Sequence, residues 1–141
     1  MKIKQLSIFL ENKTGRWAHI TKILADAEVN LLALSLADTT DFGILRMIVS
    51  DPETAVRVLK EQNVVTIVNE VTAVEVDDQP GGLARILDAL EGQNANVEYM
   101  YAFASRPTHR AALIFRFDDP ERAVALLREA GINVFKEMDL F

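Results

Sequence analysis

Shifted by 66 residues, the first half of the chain lies on the second. Gly15 then falls on Gly81, Ala18 on Ala84, Ile20 on Ile86, Leu24 on Leu90 and Asn30 on Asn96. Further along, a shift of 68 is needed. Asp51-Pro52-Glu53 falls on Asp119-Pro120-Glu121, and seven of the eleven positions from Asp51 to Glu61 are identical. The two-residue change falls between Ser35 and Asp51, where a hairpin loop absorbs it cheaply. The 141 residues are therefore two copies of one unit of about 70 residues. No Gly/Ser-rich linker separates them, which gives domains 1–69 and 70–141 and disfavours beads on a string.

Within a copy the apolar period changes in a fixed order. Leu6, Ile8 and Leu10 alternate, as on a strand, and Trp17, Ile20, Ile23, Leu24 and Ala27 follow helical spacing. Leu31 to Ala37 and Ile44 to Val49 read as strands joined by the turn Asp38–Asp41. Asp51-Pro52 opens a helix with an acceptor at the cap and proline in the first turn. Val64 to Val68 closes the copy as a strand, and the run to Val76 carries it into the first strand of the second copy almost without pause. The second copy repeats this with strands at Thr72–Val76, Val97–Ala104, Ala111–Phe117 and Val134–Met138, and helices from Gly81 and from Asp119-Pro120. The order is βαββαβ, an α+β ferredoxin-like unit with both helices on one face of an antiparallel sheet. Both alternating faces of Leu31–Ala37 are mostly apolar, so a second unit is expected against them, as an intramolecular pseudo-dimer. Tyr99, Tyr101 and Phe103 make the same demand, and a further homodimer is compatible with it.

Composition narrows the function. Fifteen Lys+Arg stand against 21 Asp+Glu, a net charge of −6 that argues against a broad nucleic-acid surface. RNA binding on the sheet would need Tyr99, Tyr101 and Phe103 flanked by basic residues, and only Arg116 is placed to help. There is no Cys, hence no disulfide, thiolate nucleophile or cysteine-bound metal. No apolar run reaches the roughly 18 residues of a membrane span, and no signal-peptide core follows Met1. Cytoplasmic residence is the expectation. His19 and His109 occupy inequivalent places, and Asp77-Asp78 are adjacent, so neither pair suits acid–base catalysis or a metal site. No phosphate loop or dinucleotide fingerprint is present. Arg106–Arg110 reads as a basic hairpin tip. Neither catalysis nor a cofactor is expected.

The loop from the first strand to the first helix stands out, because it occurs twice. Asn12-Lys13-Thr14-Gly15 and Asp78-Gln79-Pro80-Gly81 place an amide or carboxylate three residues before a glycine that opens a helix. Unpaired N–H groups at a helix start attract a carboxylate, and glycine lets a small ligand reach the main chain. The Asn12 carbonyl and the Asp78 charge suit an ammonium group. Together the features complement a zwitterion. The same residue types cap helices and make turns, and the roles are compatible. Asn30 and Asn96, where the helix meets the next strand, suit either a left-handed helix stop or a site at the sheet's end.

These stretches resemble the ACT domain family, whose unit is βαββαβ. Its first loop reads roughly Asn-x-Pro-Gly-x-Leu-Ala and its second strand starts with a hydrophobic-Asn-hydrophobic step. Here they are Asn12 to Ala18 with Val29-Asn30-Leu31, and Asp78 to Ala84 with Ala95-Asn96-Val97. Asp41-Phe42-Gly43-Ile44-Leu45-Arg46 is similar to the third strand of stand-alone tandem ACT proteins. The resemblance implies amino-acid sensing where ACT units meet. One side of the ligand would be held by Asn12, Gly15, Arg16 and Trp17, and the other by Asn30 with Leu31, or Asn96 with Val97, from the facing unit. The mirrored site would use Asp78, Gly81, Gly82 and Leu83. Thr14 and Asp78 depart from the family's proline and asparagine, and Trp17 against Leu83 changes the volume, so the two sites are expected to differ. Trp17 also suits an ordinary core place.

The expected function is a non-catalytic amino-acid-binding regulatory protein, read by a partner enzyme or transporter. The alternative is a regulatory subunit of an amino-acid biosynthetic enzyme, resembling the small subunit of acetolactate synthase. That type carries a different domain after its single ACT unit, whereas the repeat here runs to Leu140.

Overall fold

The computed structural model describes residues 2–11, 13–38, 41–103 and 110–136. They form two compact units, Lys4–Asn69 and Met1–Ile3 with Glu70–Phe141.

In the unit Lys4–Asn69 the order is β1 (Ile3–Glu11), α1 (Arg16–Asp26), β2 (Leu31–Asp38), β3 (Phe42–Val49) and α2 (Pro52–Glu61), with β4 (Thr66–Asp77) beginning in it. β3 is antiparallel to β1 and β2, with Leu6 and Leu34 both opposite Met47. Strand alternation sends Leu6, Ile8, Leu45, Met47 and Val49 to one core with Ile20 and Leu24 of α1 and Ala55 and Leu59 of α2. α2 forms where Asp51 caps it: its carboxylate accepts the Thr54 N–H at 3.1 Å, and proline opens the first turn. Of the apolar β2, Ala33 is buried, whereas Leu34 and Leu36 stay 49% and 53% exposed.

The other unit continues β4 with α3 (Gly82–Leu90), β5 (Val97–Ala102), β6 (Arg110–Phe117) and α4 (Pro120–Glu129). β6 is antiparallel to β4 and β5, with Val76 opposite Ala111 and Tyr101 opposite Ile114. Val74, Val76, Phe115 and Phe117 pack with Ile86, Leu90, Ala123 and Leu127. The rings of Phe115 and Phe117 stack with centroids 5.2 Å apart.

The run read from Val64 to Val76 as passing from one strand to the next almost without pause is a single strand, Thr66–Asp77, because Asn69-Glu70-Val71 holds no glycine or proline to turn the chain. Of the strand expected over Val134–Met138, the described residues form a bridge between Val134 and Val74. Asn133 O accepts the Glu75 N–H, and the Phe135 N–H donates to Ala73 O, both at 2.9 Å. Met138, most of the Arg106–Arg110 cluster and the middle of the Asp38–Asp41 turn lie outside the described residues.

Candidate functional site

The twin turns share one hydrogen-bond pattern. After β1, the Lys13 N–H donates to Glu11 O at 2.9 Å and the Arg16 N–H to Lys13 O at 3.3 Å. After β4, the Gln79 N–H donates to Asp77 O at 2.9 Å and the Gly82 N–H to Gln79 O at 3.1 Å. Gly15 and Gly81 take the cap positions of α1 and α3 at φ +84° and +90°, where L side chains are strained. A Cβ on either would meet nothing within 4 Å, so backbone angle and not crowding demands glycine. α2 and α4 start on Asp51 and Asp119, whose carboxylates accept the N–H groups of Thr54 and Arg122. α1 and α3 have no such acceptor at the cap; their first N–H groups, of Arg16 and Gly82, bond within the turns, and those of Trp17-Ala18 and Leu83-Ala84 meet no capping side chain and suit an anion.

The capping role open to Asp78 is therefore not taken: Gly81 is the cap, and the exposed Asp78 carboxylate bonds to no described residue. Asn12 lies outside the described residues. Gly82 is forced by crowding, since a Cβ there would collide with the Asp77 carbonyl oxygen. Its counterpart in the first turn is Arg16.

Charge separates the turns. Lys13 Nζ stands 2.7 Å from Glu11 Oε2. That hydrogen bond and the ammonium charge hold the Glu11 carboxyl below its ordinary range, and Arg16 adds to the effect. The first turn thus carries Lys13 and Arg16, while the second carries Asp77 and Asp78 and no cation between Asp77 and Leu83.

Trp17 is partly buried against the core of its unit, over Gly43. In the second copy Leu83 takes the place of Trp17, and Ala111 that of Gly43. The pairing is preserved, with Leu10 opposite Gly43 and Val76 opposite Ala111. A large ring over no side chain is exchanged for a smaller chain over a methyl.

Asn30 and Asn96 are held by their backbones. The Asn30 N–H donates to Ser50 Oγ, and Asn30 O accepts the Ser50 N–H, both at 2.9 Å. The Asn96 N–H donates to Asp118 Oδ1 at 2.9 Å, and Asn96 O accepts the Asp118 N–H at 3.1 Å. Neither asparagine stops a helix: the left-handed residues between helix and strand are Glu28 at φ 57° in the first copy, and Gly92 at φ 72° and Asn94 at φ 57° in the second. The exposed side-chain amides of Asn30 and Asn96 bond to no described residue. Leu31 and Val97 follow, half-buried, and Asn96 and Val97 line an open hollow of about 720 Å³.

Register decides which residues meet. Leu10, at the turn, is opposite Gly43, whereas Leu31, beside Asn30, is opposite Val49. Six residues of strand, about 20 Å, separate the two ends. Gly15, Arg16 and Trp17 are thus kept apart from Asn30 and Leu31 of the same unit, and the second unit repeats the separation. Ser50 and Asp118 were not singled out from sequence, and Gly43 entered only as part of the Asp41–Arg46 stretch. The repeat carried a signal for Ser50 and Asp118, since both directly precede the Asp-Pro helix starts.

Other candidates come to less. His19 is exposed on α1, and His109 lies outside the described residues. Tyr99 and Tyr101 stack at 6.5 Å, with Arg116 opposite Tyr99. That guanidinium donates to Glu70 O at 2.7 Å and stands 3.9 Å from Glu98, so it is already engaged. Among the described residues no three His, Cys, Asp or Glu are grouped to hold a metal ion, and no helix is long and apolar enough to cross a membrane.

The chain is 38% identical to protein BT0572 from Bacteroides thetaiotaomicron, with a TM-score of 0.91 over 99% of this chain and 96% of that one. The regulatory subunit of aspartate kinase from Thermus thermophilus, in its ligand-free form, shares the fold at a TM-score of 0.63 and 18% identity, covering 90% of this chain and 91% of that one. Its counterpart from Thermus flavus matches at the same TM-score and identity, over 91% of this chain and 90% of that one. No curated protein matches. The sequence profile of the ACT domain pair matches residues 1–141, and the chain belongs to that family.

Proposed function

We propose that this ACT domain pair is a non-catalytic regulatory protein that binds an amino acid. The observation that carries the reading is a duplicated half-site. Each copy keeps a glycine-opened helix start with no capping side chain, and an asparagine whose backbone is clamped while its amide is unspent.

The ligand carboxylate sits on the N–H groups at the start of α1, where Gly15 gives access and Lys13 and Arg16 add positive charge. Trp17 borders that place. The ammonium group is met by carbonyl oxygens of Asn12 and of Asn30 or Asn96, the latter two supplied with Leu31 or Val97 by a facing ACT unit. The second turn, with Asp78, Gly81, Gly82 and Leu83, is acidic and holds a carboxylate less well. Binding across units favours one arrangement of them, and a partner enzyme reads the difference. The Thermus proteins of this fold are regulatory subunits of aspartate kinase, which is consistent with such a role.

Calorimetry of the full chain against the twenty amino acids tests the reading. At least one saturable heat is expected, weakened by Asn30→Ala or Asn96→Ala; a flat response to all twenty refutes it.

A regulatory subunit bound tightly to a biosynthetic enzyme is the second reading, favoured by the half-exposed Leu34 and Leu36 on β2. Replacing both with glutamate should then abolish co-purification with that enzyme and spare amino-acid binding.

A further inference from the structure

Under the shift that aligns the copies, Leu6 falls on Thr72. Both keep the same place in their sheets, Leu6 opposite Met47 and Thr72 opposite Phe115. Leu6 is fully buried with Ala55 and Leu59 of α2 in its unit's apolar core. Thr72 is nearly as inaccessible, at 2% exposure, yet its hydroxyl bonds to no described residue. The buried Ser7 hydroxyl, by contrast, donates to Asn69 Oδ1 at 2.9 Å. A buried hydroxyl without a partner is unfavourable, and threonine is shorter than leucine. The exchange therefore leaves an unmet polar group and unfilled space at one place.

That space is a cavity of about 310 Å³ against α4, at the small end of the range for small-molecule sites. Val124 and Ala125 give it an apolar wall. Its charged residues, Lys2, Glu121 and Arg128, are already committed. Lys2 stands 3.4 Å from Glu70. Arg128 has an interaction of its own and sits in the last turn of α4, and Glu121 sits in the first, where each suits the helix dipole. Among the described residues, Thr72 is the one buried polar side chain that lines the cavity. An ion entering there would lose water and meet no uncommitted countercharge, whereas a neutral hydrogen-bonding group would satisfy the hydroxyl. All these residues belong to one unit, and none lies in the twin turns.

We propose that this cavity binds a small uncharged aliphatic molecule carrying one hydroxyl or carbonyl oxygen. That oxygen accepts a hydrogen bond from the Thr72 hydroxyl, and the hydrocarbon body lies on Val124 and Ala125. The site is independent of the amino-acid site proposed above.

Titration of the full-length, isotope-labelled protein with 3-methylbutan-1-ol, followed by amide NMR shifts, tests this. Saturable shifts are expected at Thr72, Val124 and Ala125. Thr72→Leu, which restores the first copy's residue and fills the space, should weaken binding about tenfold or more. If that variant fails to fold, Thr72→Val removes only the hydroxyl and should weaken binding about threefold or more, whereas Thr72→Ser keeps the hydroxyl and should bind within about twofold of the parent. Isovalerate and 3-methylbutan-1-amine, which set a negative or a positive charge on the same body, should each bind about tenfold more weakly than the alcohol. The proposal is overturned if no saturable shift occurs there, as when water alone meets the hydroxyl, or if shifts occur at Gly15–Ala18 or Gly81–Ala84 instead. It is equally overturned if the Thr72→Val and Thr72→Ser proteins bind alike, or if either ion binds as well as the alcohol.

Discussion

A β-carbon built on Gly43 would stand 2.5 Å from Cζ2 of Trp17. The indole occupies the space a side chain on β3 would need, and the second copy solves the same packing with Leu83 and Ala111. Gly43→Ala should therefore destabilise the chain by about 1–3 kcal/mol through overpacking. Adding Trp17→Leu rebuilds the second copy's arrangement and should recover part of that loss. Urea unfolding of the four proteins of the cycle should give a coupling of about 1 kcal/mol or more. Strictly additive effects would show that the two residues do not compete for space.

The left-handed glycines give a second expectation. Gly15→Ala and Gly81→Ala should each cost about 1–2 kcal/mol in thermal unfolding, because φ is +84° and +90°. There is open space at both positions, so the loss would be one of backbone strain. Alanine tolerated at no cost would mean that the turns take another conformation.

Asp51 sets a pH dependence. The Thr54 hydroxyl, 2.6 Å away, and the Thr54 N–H hold its carboxyl below the ordinary 3.8. A depressed folded-state pKa stabilises the fold above the unfolded value, and that stabilisation is lost as pH falls through the folded one. The Tm advantage of the parent over Asp51→Ala should be constant near neutrality and shrink only below about pH 4. An advantage that grew on acidification would contradict the sign.

How much was legible in advance follows from what each feature depends on. The element order was readable because leucine and isoleucine spacing changes period at each boundary, and the Asp51-Pro52 and Asp119-Pro120 starts are written locally. The near-continuity from Val64 to Val76 was readable too, since no turn residue interrupts it, and Asn69-Glu70-Val71 staying extended makes it the single strand Thr66–Asp77. In the candidate site, Gly15 and Gly81 were readable as helix openers. The clamps Ser50 and Asp118 were not, because each acts on a residue some twenty positions away, across a register that only folding sets. Glu28 as the helix-stopping residue was hidden too, since glutamate rarely takes a positive φ.

The clamps separate structure from recognition. Asn30→Ala keeps both backbone bonds to Ser50 and should change Tm little, while lowering amino-acid affinity. Ser50→Ala removes the acceptor of the Asn30 N–H and should cost about 1 kcal/mol. Paired thermal melts and calorimetry check this. An Asn30→Ala protein that is destabilised and binds normally would give the side chain a structural role.

The most direct test of the amino-acid site is amide NMR of the full chain with the tightest-binding amino acid from the calorimetric panel. Saturable shifts are predicted at both halves together: the Gly15–Ala18 or Gly81–Ala84 amides, and Asn30-Leu31 or Asn96-Val97. Within one unit those groups lie about 20 Å apart, so a shared saturation curve requires a ligand bridging two units. Shifts confined to one group, or to neither, would contradict the account.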